Sequence, residues 1–288
     1  SLTSLHSLTV GSNSLTSVRE LELDESSELE YSSIDDGSFS GVETLILGNS
    51  TSQSRRLRDH RSRGHGWKPF GLEPHESGHS FRLGKDSLLR NVKKIDVKDN
   101  CFHDINQLEV IGLVKLEIIV VGKNSIHGMK GEGAFTIASC VSIRTVLMGD
   151  NTFGHFPSLA LRDCPKLKDF RRGEKSFSSV RNIDLKSIGL ESIDIGNQDF
   201  LNLESLIVDG LNDLTRMSIG EGNGIMSRED GEFSIRNCEK MERMTVGEGS
   251  FKDFSKVSIE NNRKLKNLGF GPWCFNKAHD VRMTGRIV

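Results

Sequence analysis

The 288-residue sequence predicts an all-β repeat solenoid. Short parallel strands come two to a turn of about 24 residues, for about ten turns in one domain, with few or no α-helices. Three observations predict this. Apolar residues recur as h-x-h triplets, the period-2 signature of a strand with one apolar face. A Gly follows every second triplet from mid-chain on, at Gly122, Gly149, Gly173, Gly196, Gly220, Gly247 and Gly271, with spacings of 27, 24, 23, 24, 27 and 24. A shift of 98 aligns residues 102–190 with 200–288 without a gap, so that Phe102 meets Phe200, Cys140 meets Cys238 and Phe153 meets Phe251.

The elements follow in order. Leu5-x-x-Leu8-x-Val10-Gly11 fits the second strand of a unit, Val18-x-x-Leu21-x-Leu23 a first strand, and Val42-x-x-Leu45-x-Leu47-Gly48 a second strand again. The register between Leu29 and Phe39 stays open. After a long break, Val92-x-x-Ile95-x-Val97 resumes the pattern. The first strands are then Leu108/Val110, Phe135/Ile137, Leu159/Leu161, Ile183/Leu185, Leu206/Val208, Phe233/Ile235 and Val257/Ile259. The second strands are Ile119/Val121, Val146/Met148, Phe170/Arg172, Ile193/Ile195, Met217/Ile219, Met244/Val246 and Leu268/Phe270. The Gly after each second strand is expected to supply a tight bend. A small residue and then a Phe return the chain to the core, so Phe153, Phe177, Phe200, Phe251 and Phe275 are expected to stack as a ladder.

Composition bounds the function. Lys and Arg number 38 against 40 Asp and Glu, a net charge of −2, which argues against a globally basic nucleic-acid binder. No apolar run approaches the ~18 residues of a membrane-spanning helix. The cysteines are Cys101, Cys140, Cys164, Cys238 and Cys274, an odd set with no CxxC pair, so neither a closed disulfide framework nor a zinc knuckle is indicated. Cys140, Cys164 and Cys238 share a column with Leu113, Leu211 and Asn262 and read as core thiols.

The LxxLxIxxC/N and LxxLxIGxxSF segments resemble leucine-rich repeats, and the two-strand turn with its small-Phe pair is most similar to the BspA-like class. The likeness covers nearly the whole chain outside residues 50–80, although Gly stands where that class carries Pro. It implies a right-handed stack and a surface-exposed recognition or adhesion module. A location outside the cell or on its surface rests on the resemblance alone.

Residues 50–80 form the one long insertion. It carries Arg55, Arg56, Arg58, Arg61, Arg63 and Trp67, which read either as a solvated loop with a small hydrophobic plug at Trp67–Phe70 or as a patch for an anionic or acidic partner. Its His60, His65, His75 and His79 have spacings that fit no compact metal site. Asn49-Ser50-Thr51 is a glycosylation sequon at Asn49. Shorter insertions at 127–134 and 225–232 follow the same Gly and are expected on the same side of the rod. Arg172 breaks an inward apolar column and is expected either to pair, with Glu174 or a carboxylate on an adjacent turn, or to swing out at a local distortion. Neighbouring acids such as Asp35-Asp36 point to opposite faces of a strand and make a poor catalytic pair.

The expectation is a non-enzymatic binding or adhesion module without a cofactor or metal. It recognises a protein or surface glycan, not nucleic acid. A carbohydrate-active enzyme on a β-solenoid and an end-to-end scaffold are the rivals. Both termini fall within a repeat unit, so the chain is expected to be a piece of a longer repeat protein or to self-associate end to end.

Overall fold

In the computed structural model the described residues are 7–10, 15, 17–23, 31–34, 42–47, 72–75, 78–84, 91–102, 105–128, 133–226 and 230–284. They form an all-β parallel solenoid of about eight turns, with no helix among them. No helix there is long and apolar enough to cross a membrane.

The strands of the first third are β1 (Ser7–Val10), β2 (Glu20–Leu23), β3 (Tyr31–Ile34), β4 (Thr44–Leu47), β5 (Leu72–His75), β6 (Gly78–Gly84) and β7 (Lys94–Val97). Mid-chain come β8 (Ile105–Ile111), β9 (Ile118–Val121), β10 (Ala134–Ala138), β11 (Thr145–Met148), β12 (Ser158–Cys164), β13 (Asp169–Arg171), β14 (Asn182–Ile188) and β15 (Ser192–Ile195). The last are β16 (Ser205–Asp209), β17 (Arg216–Ile219), β18 (Glu232–Arg236), β19 (Arg243–Val246), β20 (Lys256–Glu260), β21 (Asn267–Phe270) and β22 (Asp280–Thr284).

One long sheet runs β22-β20-β18-β16-β14-β12-β10-β8-β6-β5, parallel except for the β5–β6 hairpin. The intervening strands form a six-stranded sheet, β13-β11-β9-β7-β4-β2, and a four-stranded sheet, β15-β17-β19-β21. A separate pair joins β1 and β3 in the register Ser7↔Tyr31. Alternate residues are buried along most strands from β7 to β20, and with Val42, Leu45 and Leu83 they join a single core cluster running from Val42 to Ile259.

The N-terminal half-units differ from the sequence reading. Residues 20–23 pair with β4, and through β4 with β7 and β9, so β2 belongs with the second strands and not the first. Both strand types show the same h-x-h triplet, and Asp24 stands where the Gly marker would have told them apart. The turns expected beyond about eight depend on this N-terminal third, much of which lies outside the described residues. Within the expected insertion, residues 72–75 and 78–80 are strand.

The repeated Gly does not act as a bend. None of Gly122, Gly149, Gly173, Gly196, Gly220, Gly247 or Gly271 has positive φ. A Cβ on Gly149 would lie 2.6 Å from Lys123 N, and one on Gly247 2.6 Å from Glu221 N. The column is glycine because each turn lies directly on the backbone of the turn before it. The small residue three positions on ties the same two turns together. Ser176 Oγ donates to Gly149 O at 2.9 Å, and Ser250 Oγ to Gly220 O at 2.8 Å.

The aromatic ladder is discontinuous. Phe153 and Phe177 stack at 4.9 Å with Phe135 and Phe156 against Phe153. Phe251 and Phe275 stack at 5.6 Å with Phe233 and Phe254 against Phe251. The two groups are the same four positions shifted by 98. Between them Phe200 lies beneath the Arg172 guanidinium, 4.7 Å away, and Gly224 takes the Phe position of the next turn.

Arg172 marks the place where the second layer splits. It ion-pairs with Asp199 one turn later, not with Glu174. Asp199 also accepts from Gly196 N at 2.6 Å. The first-strand register is Ser158↔Asn182 and then Asn182↔Ser205, one residue shorter. The missing residue lies between β14 and β15, where a Cβ on Gly189 would strike Pro165 O. With a shortened entry, β15 does not pair with β13, and the six- and four-stranded sheets end there.

Candidate functional site

The long sheet exposes a face built from three columns of outward side chains. One column runs Gln107, Ala134, Ser158, Asn182, Ser205, Glu232, Lys256, Asp280. The central one runs Glu109, Thr136, Ala160, Asp184, Ile207, Ser234, Ser258, Arg282, and the third Ile111, Ala138, Arg162, Lys186, Asp209, Arg236, Glu260, Thr284. Small side chains dominate on β10, and charged ones are most frequent on β18, β20 and β22. Asp184 anchors the middle: Arg162 Nε donates to it at 2.8 Å, and Lys186 Nζ lies 3.2 Å from its Oδ1.

Across β18, β20 and β22 this face dips into a groove of about 250 Å³. Ser234 and Ser258 floor it. Glu232, Lys256 and Asp280 form one wall, and Arg236 and Glu260 the other. Ser258 donates to Glu260 at 2.6 Å, and Arg282 Nε donates to Asp280 at 3.2 Å.

A second feature wraps the turn from the long sheet to the next layer. Ile111 ends β8, Ile118 begins β9, and Val114 and Val141 sit at equivalent places on successive turns. All four are exposed, Val114 by 53% and Val141 by 44%. Val120 and Leu147 pair across β9 and β11 beside them. Along the same column the next turns carry an exposed Pro165 and then Gly189, and later ones carry Asn212, Glu239 and Arg263, so the apolar strip fades after Pro165. Leu268, Phe270, Trp273, Val281 and Met283 are exposed too, on β21, β22 and the turn between them.

The residues singled out from the sequence, Arg55, Arg56, Arg58, Arg61, Arg63 and Trp67, lie outside the described residues, as does Asn49. The expected neighbours of that loop, 127–134 and 225–232, are described only in part. His127, at the start of the first of these insertions, meets His155 of the next turn edge to face at 4.6 Å. Among the described residues no three His, Cys, Asp or Glu side chains converge as a metal-ligand set. The cysteines are free thiols, and burial pushes Cys140 and Cys238 up to about 11 and Cys164 up to about 12. Such thiols are poor nucleophiles at neutral pH.

Sequence reasoning passed over both features now on view. Val114 and Val141 carry a legible signal: each is an apolar residue just after a core column and outside any h-x-h triplet. Ser234 and Arg236 carry none, because outward strand positions look alike until their neighbours are known. Neither protein-family models, nor curated proteins, nor solved structures give a match to this chain.

Proposed function

We propose that this chain is a non-enzymatic recognition module that binds a protein partner through the apolar strip of Ile111, Val114, Ile118 and Val141. The exposure of this strip is the observation that carries the reading. Exposed apolar side chains flanked by charge, here Lys115 in the same turn and Lys93 and Arg144 on the adjacent turns, are characteristic of protein-binding sites. Further support comes from the stack itself, which offers flat, rigid outer faces of the kind solenoids use for macromolecules.

The alternation of strands between layers from β6 on and the 23- to 27-residue register favour reading each unit as a two-strand turn of the leucine-rich type. Adhesion at a cell surface remains the role that this resemblance suggests.

The test is site-specific photocrosslinking. A benzoylphenylalanine at Ile118 should give one reproducible protein adduct that a label at Ser218, on the outer face of β17, does not give. The captured protein, purified, should bind the wild-type chain saturably, and Val114→Lys with Val141→Lys should weaken it at least tenfold, on the order of the loss of a small hot spot. Equal adducts at both positions, or unchanged affinity in the double variant, would remove the strip from the function.

A further inference from the structure

Most outward polar groups on the long sheet find partners on their own face. Among the described residues, the buried polar side-chain atoms without a hydrogen-bond partner are Asp184 Oδ1, Ser234 Oγ and Arg236 Nε. Two of the three line the same groove. Ser234 is 0% exposed, an outward-pointing hydroxyl covered by its charged neighbours. Leaving such a group unpaired is costly, and native structures seldom do so without a reason.

The charges around the groove are sorted. Glu260 is engaged by Ser258, and Asp280 by Arg282. Arg236 reaches Asp209 only at 3.9 Å, through Nη2 and not through Nε. On the opposite wall Glu232 and Lys256 are direct cross-strand partners, yet no ion pair joins them to each other or to another described residue. What the groove leaves uncommitted is therefore a pair of donors, the Ser234 hydroxyl and the Arg236 Nε–H, facing a wall with a free carboxylate and a free ammonium.

We propose that this groove binds a small zwitterion: a carboxylate and an ammonium on one short frame, as in a free α-amino acid. The ligand carboxylate accepts from Arg236 Nε and Ser234 Oγ, a charge-assisted pair of bonds. Its ammonium donates to Glu232 on the opposite wall. A guanidinium paired with a hydroxyl suits a carboxylate better than a neutral hydroxyl, because the buried Nε–H gains most from a charged acceptor. The size agrees: about 250 Å³ is below the ~300–1,000 Å³ of pockets that take drug-sized ligands. The inference is independent of the apolar strip, which lies on other turns.

Titration calorimetry on the full chain tests it, with L-alanine, sodium acetate, ethylammonium chloride and glucose as separate probes at fixed ionic strength. L-alanine should bind saturably in the millimolar range, as suits a ligand of few atoms. Acetate and ethylammonium, each with half the recognition, should bind at least about tenfold more weakly, and glucose should give no saturable heat. Ser234→Ala, Arg236→Gln and Glu232→Gln should each weaken alanine about tenfold with an unchanged circular dichroism spectrum. Ser158→Ala, on the same face but away from the groove, should leave binding intact. No saturable heat from alanine up to ~50 mM would overturn the proposal. So would acetate or glucose binding as tightly as alanine, or a full set of groove variants with wild-type affinity.

Discussion

Glycine at the head of each turn is a packing requirement, and the side chains around it follow from that. Gly149 brings its turn so close to Lys123 N that a methyl group has no room, and the next small residue, Thr152, bonds back to Gly149 O at 3.1 Å. Gly149→Ala should therefore destabilise the fold by roughly 1–3 kcal/mol, the usual cost of overpacking. Gly269→Ala is the control, since a Cβ there meets only Thr245 Cγ2 at 3.7 Å and should be tolerated. Chemical denaturation of the two variants checks the difference. Equal loss at both sites would mean that glycine serves backbone freedom after all. Arg172 shows the other side of the same economy: its charge persists in an apolar column because Asp199 and the face of Phe200 receive it.

Where the second layer divides between β13 and β15, charge takes over some of the joining. Lys168, just before β13, reaches Glu191 before β15 at 3.1 Å and Asp213 before β17 at 2.7 Å. Lys240, before β19, reaches the same Asp213 at 2.8 Å. Hydrogen bonds from Lys168 and Lys240 hold the Asp213 carboxyl down to about 2. Its folded value lies below the ~3.9 of a free Asp, so its stabilisation is present above about pH 4 and is lost as pH falls toward 2. Being exposed, the cluster contributes under ~1 kcal/mol. Thermal melts should show Asp213→Asn slightly less stable than wild type near neutral pH, with the two curves converging as pH falls through that window. A gap that persists at pH ~2 would mean the side chain acts through packing. The strands on either side of the split were legible because two-residue alternation survives in every unit. The split itself was written only as one spacing of 23 and one misplaced Arg, and neither says which strand pair is lost. The groove was illegible for a related reason: it depends on which outward side chains of β18, β20 and β22 become neighbours, and on which of them pair off.

The whole chain behaves as a one-dimensional object in which each turn touches its neighbours. Phe177 is fully buried against Phe153 and Phe135, at 4.9 and 6.0 Å. Phe177→Ala should cost roughly 3–5 kcal/mol. Hydrogen exchange should report the damage in β10 to β14 and spare β18 to β22, where the Phe233–Phe251–Phe275 group stands by itself. Uniform loss of protection from end to end would contradict such locality. Both proposed surfaces exist only if the turns stack in the register given by the long sheet. Electron–electron distance measurement between nitroxide labels tests that register most directly. Thr136 and Ser258 lie five strand steps apart in the central column, and Glu109 and Arg282 seven. At ~4.8 Å per step the pairs should give single peaks near 24 and 34 Å, separated by about 10 Å. Broad distributions, or two pairs with the same spacing, would contradict the stack and with it both sites.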